Sequence, residues 1–247
     1  MIRAASLIAA LALCASQPAF AYRPFDGTDA AVAERGQVEI ELEPVGFLRE
    51  GPDRFLVVPA IIANVGFAER LELVLEGRHH LLLGTADRAP LTRLVDTALS
   101  LKGVVREGEL QEHSGPSVAI EAGVLLPTVS DEAGVGAQAA VIVSRRFSQA
   151  TIHLNGGVVF SRSHDLVPVG TVIVEGPPTW VVRPVFELFS EGRVGGPFAL
   201  TGLVGLIWRS SDSLSFDAGV RAGSAAGYPL IEGRLGLTFA VDVLGRG

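Results

Sequence analysis

Residues 37–44 read QVEIELEP, and every second position is polar or acidic: Gln37, Glu39, Glu41 and Glu43 alternate with Val38, Ile40 and Leu42. That period of two is a strand with one apolar and one hydrated face. The pattern continues in 151–160, where Ile152, Leu154, Val158 and Phe160 share one face and Thr151, His153 and Asn155 the other. In 215–221, Phe216, Ala218 and Val220 oppose Ser215, Asp217 and Arg221, and in 230–243 a row from Ile231 to Val243 opposes Glu232, Arg234, Thr238 and Asp242. A chain built this way must hide its apolar faces in a core or turn them towards lipid.

Hydropathy favours lipid. The chain of 247 residues is 48% hydrophobic and 19% charged, with a mean hydropathy of +0.40. Its longest apolar run is N-terminal: MIRAASLIAALALCASQPAFA has Arg3, a short apolar stretch and the small-x-small pattern Ala19-Phe20-Ala21, which predicts a signal peptide over 1–21 cleaved after Ala21. A single domain over 22–247 follows, with no linker. Cys14, the only cysteine, falls in the leader, so the exported chain has no disulfide to rely on. Loss of Arg3 leaves 19 basic against 27 acidic residues, which argues against a nucleic-acid partner. An apolar, exported, helix-poor chain has the composition of a transmembrane β-barrel.

Twelve strands are expected, at 37–47, 54–66, 70–80, 93–107, 116–127, 134–147, 150–161, 167–175, 179–190, 198–209, 213–222 and 229–243, in a closed antiparallel up-and-down barrel. Most approach or exceed the roughly 9–11 residues a tilted strand needs to span a bilayer. Tight turns alternate with somewhat longer connections, as periplasmic turns and external loops do, although 108–116 breaks the pattern. The second strand is apolar on both faces, and Pro59 within it predicts a bulge. Aromatics sort into two girdles. Phe47, Phe55, Phe160, Phe189, Phe198 and Tyr228 fall near external strand ends; Phe67, Phe147, Trp180, Trp208 and Phe239 fall near periplasmic ends. Phe186 sits mid-strand. A soluble two-sheet sandwich, the competing architecture, would scatter its aromatics through the strand centres.

The chemistry is sparse. His79 and His80 point to opposite faces, His113 and His164 lie in connections, and no Cys pair or carboxylate cluster has ligand spacing, so no metal and no cofactor is expected. His153 is the one mid-strand histidine; with Ser144 and Asn155 it suggests a barrel-wall lipid hydrolase. The more economical reading makes it one polar lumen residue among many, and the chain no enzyme. The inward ionisable residues include Glu39, Glu41, Glu43, Glu72, Glu76, Arg78, Asp96, Lys102, Arg106, Glu121, Arg183, Glu187, Asp217, Arg221, Glu232, Arg234 and Asp242. They line a hydrated passage or pair across it as a network. Barrel closure sets the first strand beside the last, so Arg234 is the expected partner of Glu39, Glu41 and Glu43.

Two resemblances follow. RLGLTFAV, with Arg234, Gly236, Phe239 and Val241, resembles the terminal signal by which outer-membrane proteins are recognised for insertion, which implies the barrel-assembly machinery as a partner. The opening FDGTDAAVAERGQVEIELEP, through Gly36, Glu39, Ile40 and Glu41, resembles a family of outer-membrane transporters named for the meta-cleavage pathway of phenol degradation. RPVFELFSEG, with Glu187, resembles its central strand. The resemblance implies a barrel in the bacterial outer membrane, surrounded by its lipids and taking up small aromatic or other hydrophobic solutes. Three functions are thus expected in order: a passive channel or transporter, a lipid hydrolase using His153, and a non-conducting structural barrel.

Overall fold

The computed structural model describes residues 23–83, 92–130 and 133–243. The expected leader and its cleavage site lie outside the described residues, as do parts of the connections after the third and fifth strands. Twelve strands form a closed antiparallel barrel: β1 Gln37–Glu50, β2 Asp53–Ala68, β3 Leu71–Leu82, β4 Thr92–Arg106, β5 Ser117–Leu125, β6 Gly136–Arg146, β7 Thr151–Phe160, β8 Leu166–Glu175, β9 Val182–Gly192, β10 Phe198–Arg209, β11 Leu214–Ala225 and β12 Tyr228–Asp242. Each pairs with its neighbours in sequence, and β1 closes on β12. Closure leaves no strand edge unpaired, the condition for a sheet in hydrocarbon.

Inside and outside are inverted relative to a soluble protein. Leu154, Val204, Val220 and Leu235 face outward and exposed, whereas Glu41, Glu43, Glu72, Lys102, Glu187 and Glu232 are buried within the barrel. The alternation read from β7, β11 and β12 sets these faces, and the sandwich reading is excluded by the closed single sheet. The terminal end, where β1 begins and β12 finishes, carries one 3-10 turn, Glu109–Gln111, in the connection between β4 and β5.

Three expectations need correction. The far-end connections after β1 and β11 are not extended loops but two-residue turns, Gly51-Pro52 and Ala226-Gly227; the latter has φ of 51° and 84°, the twist a tight hairpin prefers. Phe55 and Phe189 do not join the outer girdle. Phe55 packs inside the barrel with Leu48, Val57, Ala60 and Leu230, and Phe189 pairs with the inward Thr171 and Thr201. This interior apolar cluster explains why β2 is apolar on both faces. Phe47, Phe67, Phe147, Phe160, Trp180, Phe198, Trp208 and Tyr228 do face outward, as does the mid-strand Phe186. The register slips between Val57 and Ala60, around Pro59.

Candidate functional site

The lumen is occupied by the segment that precedes the first strand. Residues 23–36 precede β1 and run through the barrel outside the strands, until Gly36 donates to Gly66 O and accepts from Val243 N as β1 begins. From the terminal end, the Ala33 N–H donates to Glu72 Oε2 at 2.6 Å, and the Ala30 N–H to Ser144 Oγ at 2.9 Å. Thr28 is held twice by one side chain: its N–H donates to Asn155 Oδ1 (2.7 Å), and its carbonyl accepts from Asn155 Nδ2 (2.8 Å). The N–H groups of Asp26 and Gly27 both donate to Glu187, at 2.8–3.0 Å. A segment with no ladder must find partners for its backbone groups elsewhere; here the wall side chains supply them.

The segment carries charge of both signs to matching wall groups. Arg23 Nη2 donates to Glu43 Oε2 at 3.0 Å, and its Nε lies 3.5 Å from Asp217. Asp26 accepts from Arg234 through Oδ1 at 2.6 Å and from Arg221 through Oδ2. Asp29 lies 3.9 Å from Lys102, whose ammonium also donates to Thr28 Oγ1 (3.1 Å) and reaches Glu72 (3.3 Å). Apolar contacts fill the remainder. Phe25 packs on Val185, Leu203 and Ile207, and Ala30 and Ala31 pack on Leu110, Ala119 and Ile142. Pro24 crosses β11 at Gly219, where a Cβ would lie 3.2 Å from the proline ring.

All ten singled-out charges are placed. Glu39, Glu41, Glu43, Glu72, Glu187, Asp217, Glu232 and Arg234 are buried inside the barrel. Arg221 bridges Asp26 and Glu232, and Arg183 pairs with Glu175 at 3.0 Å. Arg234 is not the partner of the β1 glutamates. A bulge at Glu43-Pro44 inserts one residue into β1, so Arg234 lies opposite Gly46 and turns to Pro24 O, Asp26 and Glu232. Glu41 instead accepts from Asn64 at 2.8 Å, and Glu43 meets Arg23 and, at 3.6 Å, Arg78. Arg106 is drawn to the rim, donating to Pro116 O.

The expected hydrolase residues part company. Ser144 and His153 are paired across β6 and β7, with Oγ 2.8 Å from Nδ1, but the third member is Glu175, 3.1 Å from Nε2, and Asn155 serves Thr28. The assignment that satisfies all groups has the Ser144 O–H donating to Nδ1 and Nε2–H donating to Glu175. No cluster of His, Cys, Asp or Glu among the described residues has metal-site geometry. No helix among them is long and apolar enough to cross a membrane.

A twelve-stranded barrel of this shape has solved counterparts. The COG4313 outer membrane channel from Pseudomonas putida F1 superposes with a TM-score of 0.62 at 10% identity, over 88% of this chain and 100% of that one. The chain shares the fold of outer-membrane channels. The NanC porin matches with a TM-score of 0.58 at 7% identity, covering 82% of this chain and 98% of its own. The KdgM porin, solved in complex with disordered oligogalacturonate, matches at 0.55 and 13% identity, with 81% and 98% covered. No family model matches the chain, and no curated protein is similar to it in sequence.

Proposed function

We propose that this barrel lies in the bacterial outer membrane, its terminal end in the periplasm, and acts as a passive channel or transporter for small solutes, aromatic and hydrophobic ones among them. The observation that carries the reading is the mode of closure. Residues 23–36 block a charged lumen with point contacts to wall side chains, not with a folded domain or a ladder. The twelve strands pair fully without the segment, so its withdrawal breaks no strand pairing. Charges along the path, hydrated once the segment leaves, would select what passes. The channel fold of the structural counterparts supports this, and the likeness of Gly36, Glu39, Ile40, Glu41 and Glu187 to the phenol-pathway transporters supports the solute class.

The test is planar-bilayer current through the full mature chain and through a variant lacking residues 23–33, both first checked for a fast-migrating unboiled band on SDS gels. The intact chain should conduct weakly or intermittently, the shortened one steadily and more. Equal, negligible current in both would leave a non-conducting structural barrel.

One observation favours a second reading, the Ser144–His153–Glu175 chain, which has the hydrogen-bond order of a hydrolase. It ranks below the channel because Ser144 is fully buried and its Oγ is engaged by the Ala30 N–H.

A further inference from the structure

We propose that Arg221 and Arg234, with Arg78 beside them, form a binding site for the carboxylate of an amphipathic solute, and that Asp26 occupies this site until such a solute displaces it. The inference rests on the channel reading for its consequence, the loosening of residues 23–36, and on local geometry for the site itself.

Three guanidiniums from three strands converge on one wall carboxylate. Glu232 receives Arg78 at 2.7 Å, Arg221 at 2.6 Å and Arg234 at 2.8 Å, and its own side chain is fully buried. Glu43, the next wall carboxylate, stands 3.6 Å from Arg78 and is shared with Arg23. Asp96, largely exposed, reaches Arg78 at 3.9 Å, so Arg221 and Arg234 are the two that share Glu232 as their wall carboxylate; Asp26 supplies their second anion, each oxygen taken by a different arginine. Two guanidiniums holding the two oxygens of one carboxylate is how proteins bind carboxylate ligands, by charge-assisted hydrogen bonds of fixed geometry.

Asp26 is also the residue of this region best placed to leave. Its side chain keeps 17% of its exposure, as does that of Arg78, and Arg221 keeps 11%, whereas Glu232 keeps none. The residue as a whole is exposed, while its neighbours Pro24 and Asp29 are buried. The open side of the ion cluster is thus the side that Asp26 faces.

The body of the ligand follows from what stands beyond the arginines. Towards the far end of the barrel, Leu48 lies opposite Glu232 in register and packs with Phe55, Val57 and Leu230. A guanidinium pair beneath an apolar interior wall suits a monocarboxylate with an aromatic or alkyl body. An uncharged solute of the same shape gains nothing from the arginines. Asp26 and the solute compete for one site, so the solute's apparent affinity is reduced by the fraction of time Asp26 holds it.

The experiment is calorimetric titration of the detergent-solubilised mature protein with benzoate, and with benzamide as the uncharged control. The proteins are wild type, Asp26→Asn, Asp26→Ala and Asp26→Asn/Arg221→Gln, each confirmed as a closed barrel by the gel shift of unboiled samples. Removal of the competing carboxylate should tighten benzoate binding about tenfold or more. Arg221→Gln on that background should reverse the gain, and benzamide should bind none of them. Benzoate binding that is absent or unchanged in both Asp26 variants overturns the proposal, as does equal binding of benzamide. Variants that bind benzoate as expected while no form of the barrel conducts would uphold the site and defeat the channel. A conducting barrel that fails the titration would do the reverse.

Discussion

Asp26 and Arg234 stand 208 positions apart in the chain and 2.6 Å apart in the lumen. The same guanidinium holds Glu232 and the carbonyl of Pro24, so one side chain of β12 fastens the N-terminal segment and orders the wall. Arg234→Met should be costly, because a buried ion pair that loses one partner strands the other, typically at about 3–5 kcal/mol. The midpoint temperature at which the unboiled band disappears on SDS gels should fall. Adding Asp26→Asn should recover part of the loss, since one stranded carboxylate is then gone.

Glu187 carries the N–H groups of both Asp26 and Gly27. Glu187→Ala should leave two donors without an acceptor, at about 1–3 kcal/mol. The segment should then leave its seat about 5- to 150-fold more often. A Thr28→Cys background reports this directly, because Cys14 is the only natural cysteine. Its maleimide reaction should accelerate by that factor when Glu187 is removed; an unchanged rate would mean that the segment is not held there.

Gly27 threads a gap that no side chain fits. A Cβ there would lie 2.7 Å from Thr171 Cγ2, 3.0 Å from Asn155 Oδ1 and 3.1 Å from Ile173 Cδ1. Gly27→Ala should hold the segment ajar and raise the current through the full-length barrel. Thr171→Ser deletes the nearest of those atoms, so the double variant should fall back towards the wild-type current. Current that stays high in the double variant would point to an effect of Gly27 other than fit.

For Ser144 and His153 the expectation is structural. Ser144→Ala removes the acceptor of the Ala30 N–H and should loosen the segment, seen as faster labelling at Thr28→Cys. His153→Ala should leave ion passage intact. A fluorophosphonate probe should not label Ser144 in the full chain; labelling that His153→Ala abolishes would promote the hydrolase reading.

The wall was legible because a strand repeats its instruction every second residue. Ser215, Asp217 and Arg221 against Phe216, Ala218 and Val220 fix which face of β11 meets lipid, without knowledge of any partner. Pro59 likewise marks the slip in β2. The lumen was less legible because its contacts join residues with no common period. Nothing local in FDGTDAA announces that Asp26 needs Arg221, or that Gly27 must be small. A count of charges does not reveal it either, since Arg78, Arg221 and Arg234 already have Glu43, Asp96 and Glu232 on the wall within reach before Asp26 is added. Pro44 misled in a different way. Its bulge sets Arg234 opposite Gly46, while Glu39 and Glu41 pair with Ala240 and Thr238, too far along β12 for Arg234 to meet them. Phe55 was placed by its position along β2, whereas its direction depends on parity; its partner Leu48 faces inward and takes it along.

The order of strands sets an order in time. Residues 23–36 leave the ribosome before any strand exists, yet their partners are spread around the whole barrel, from Glu43 on β1 through Glu72, Lys102, Ser144, Asn155 and Glu187 to Leu203, Arg221 and Arg234. This early segment of the chain is therefore the last to find all its contacts. The seam between β1 and β12 joins two strands that each grip the segment, through Glu43 on one side and Arg234 on the other. A barrel that zips shut along this seam closes around a strand of its own chain already lying within, as a sleeve is sewn on a former.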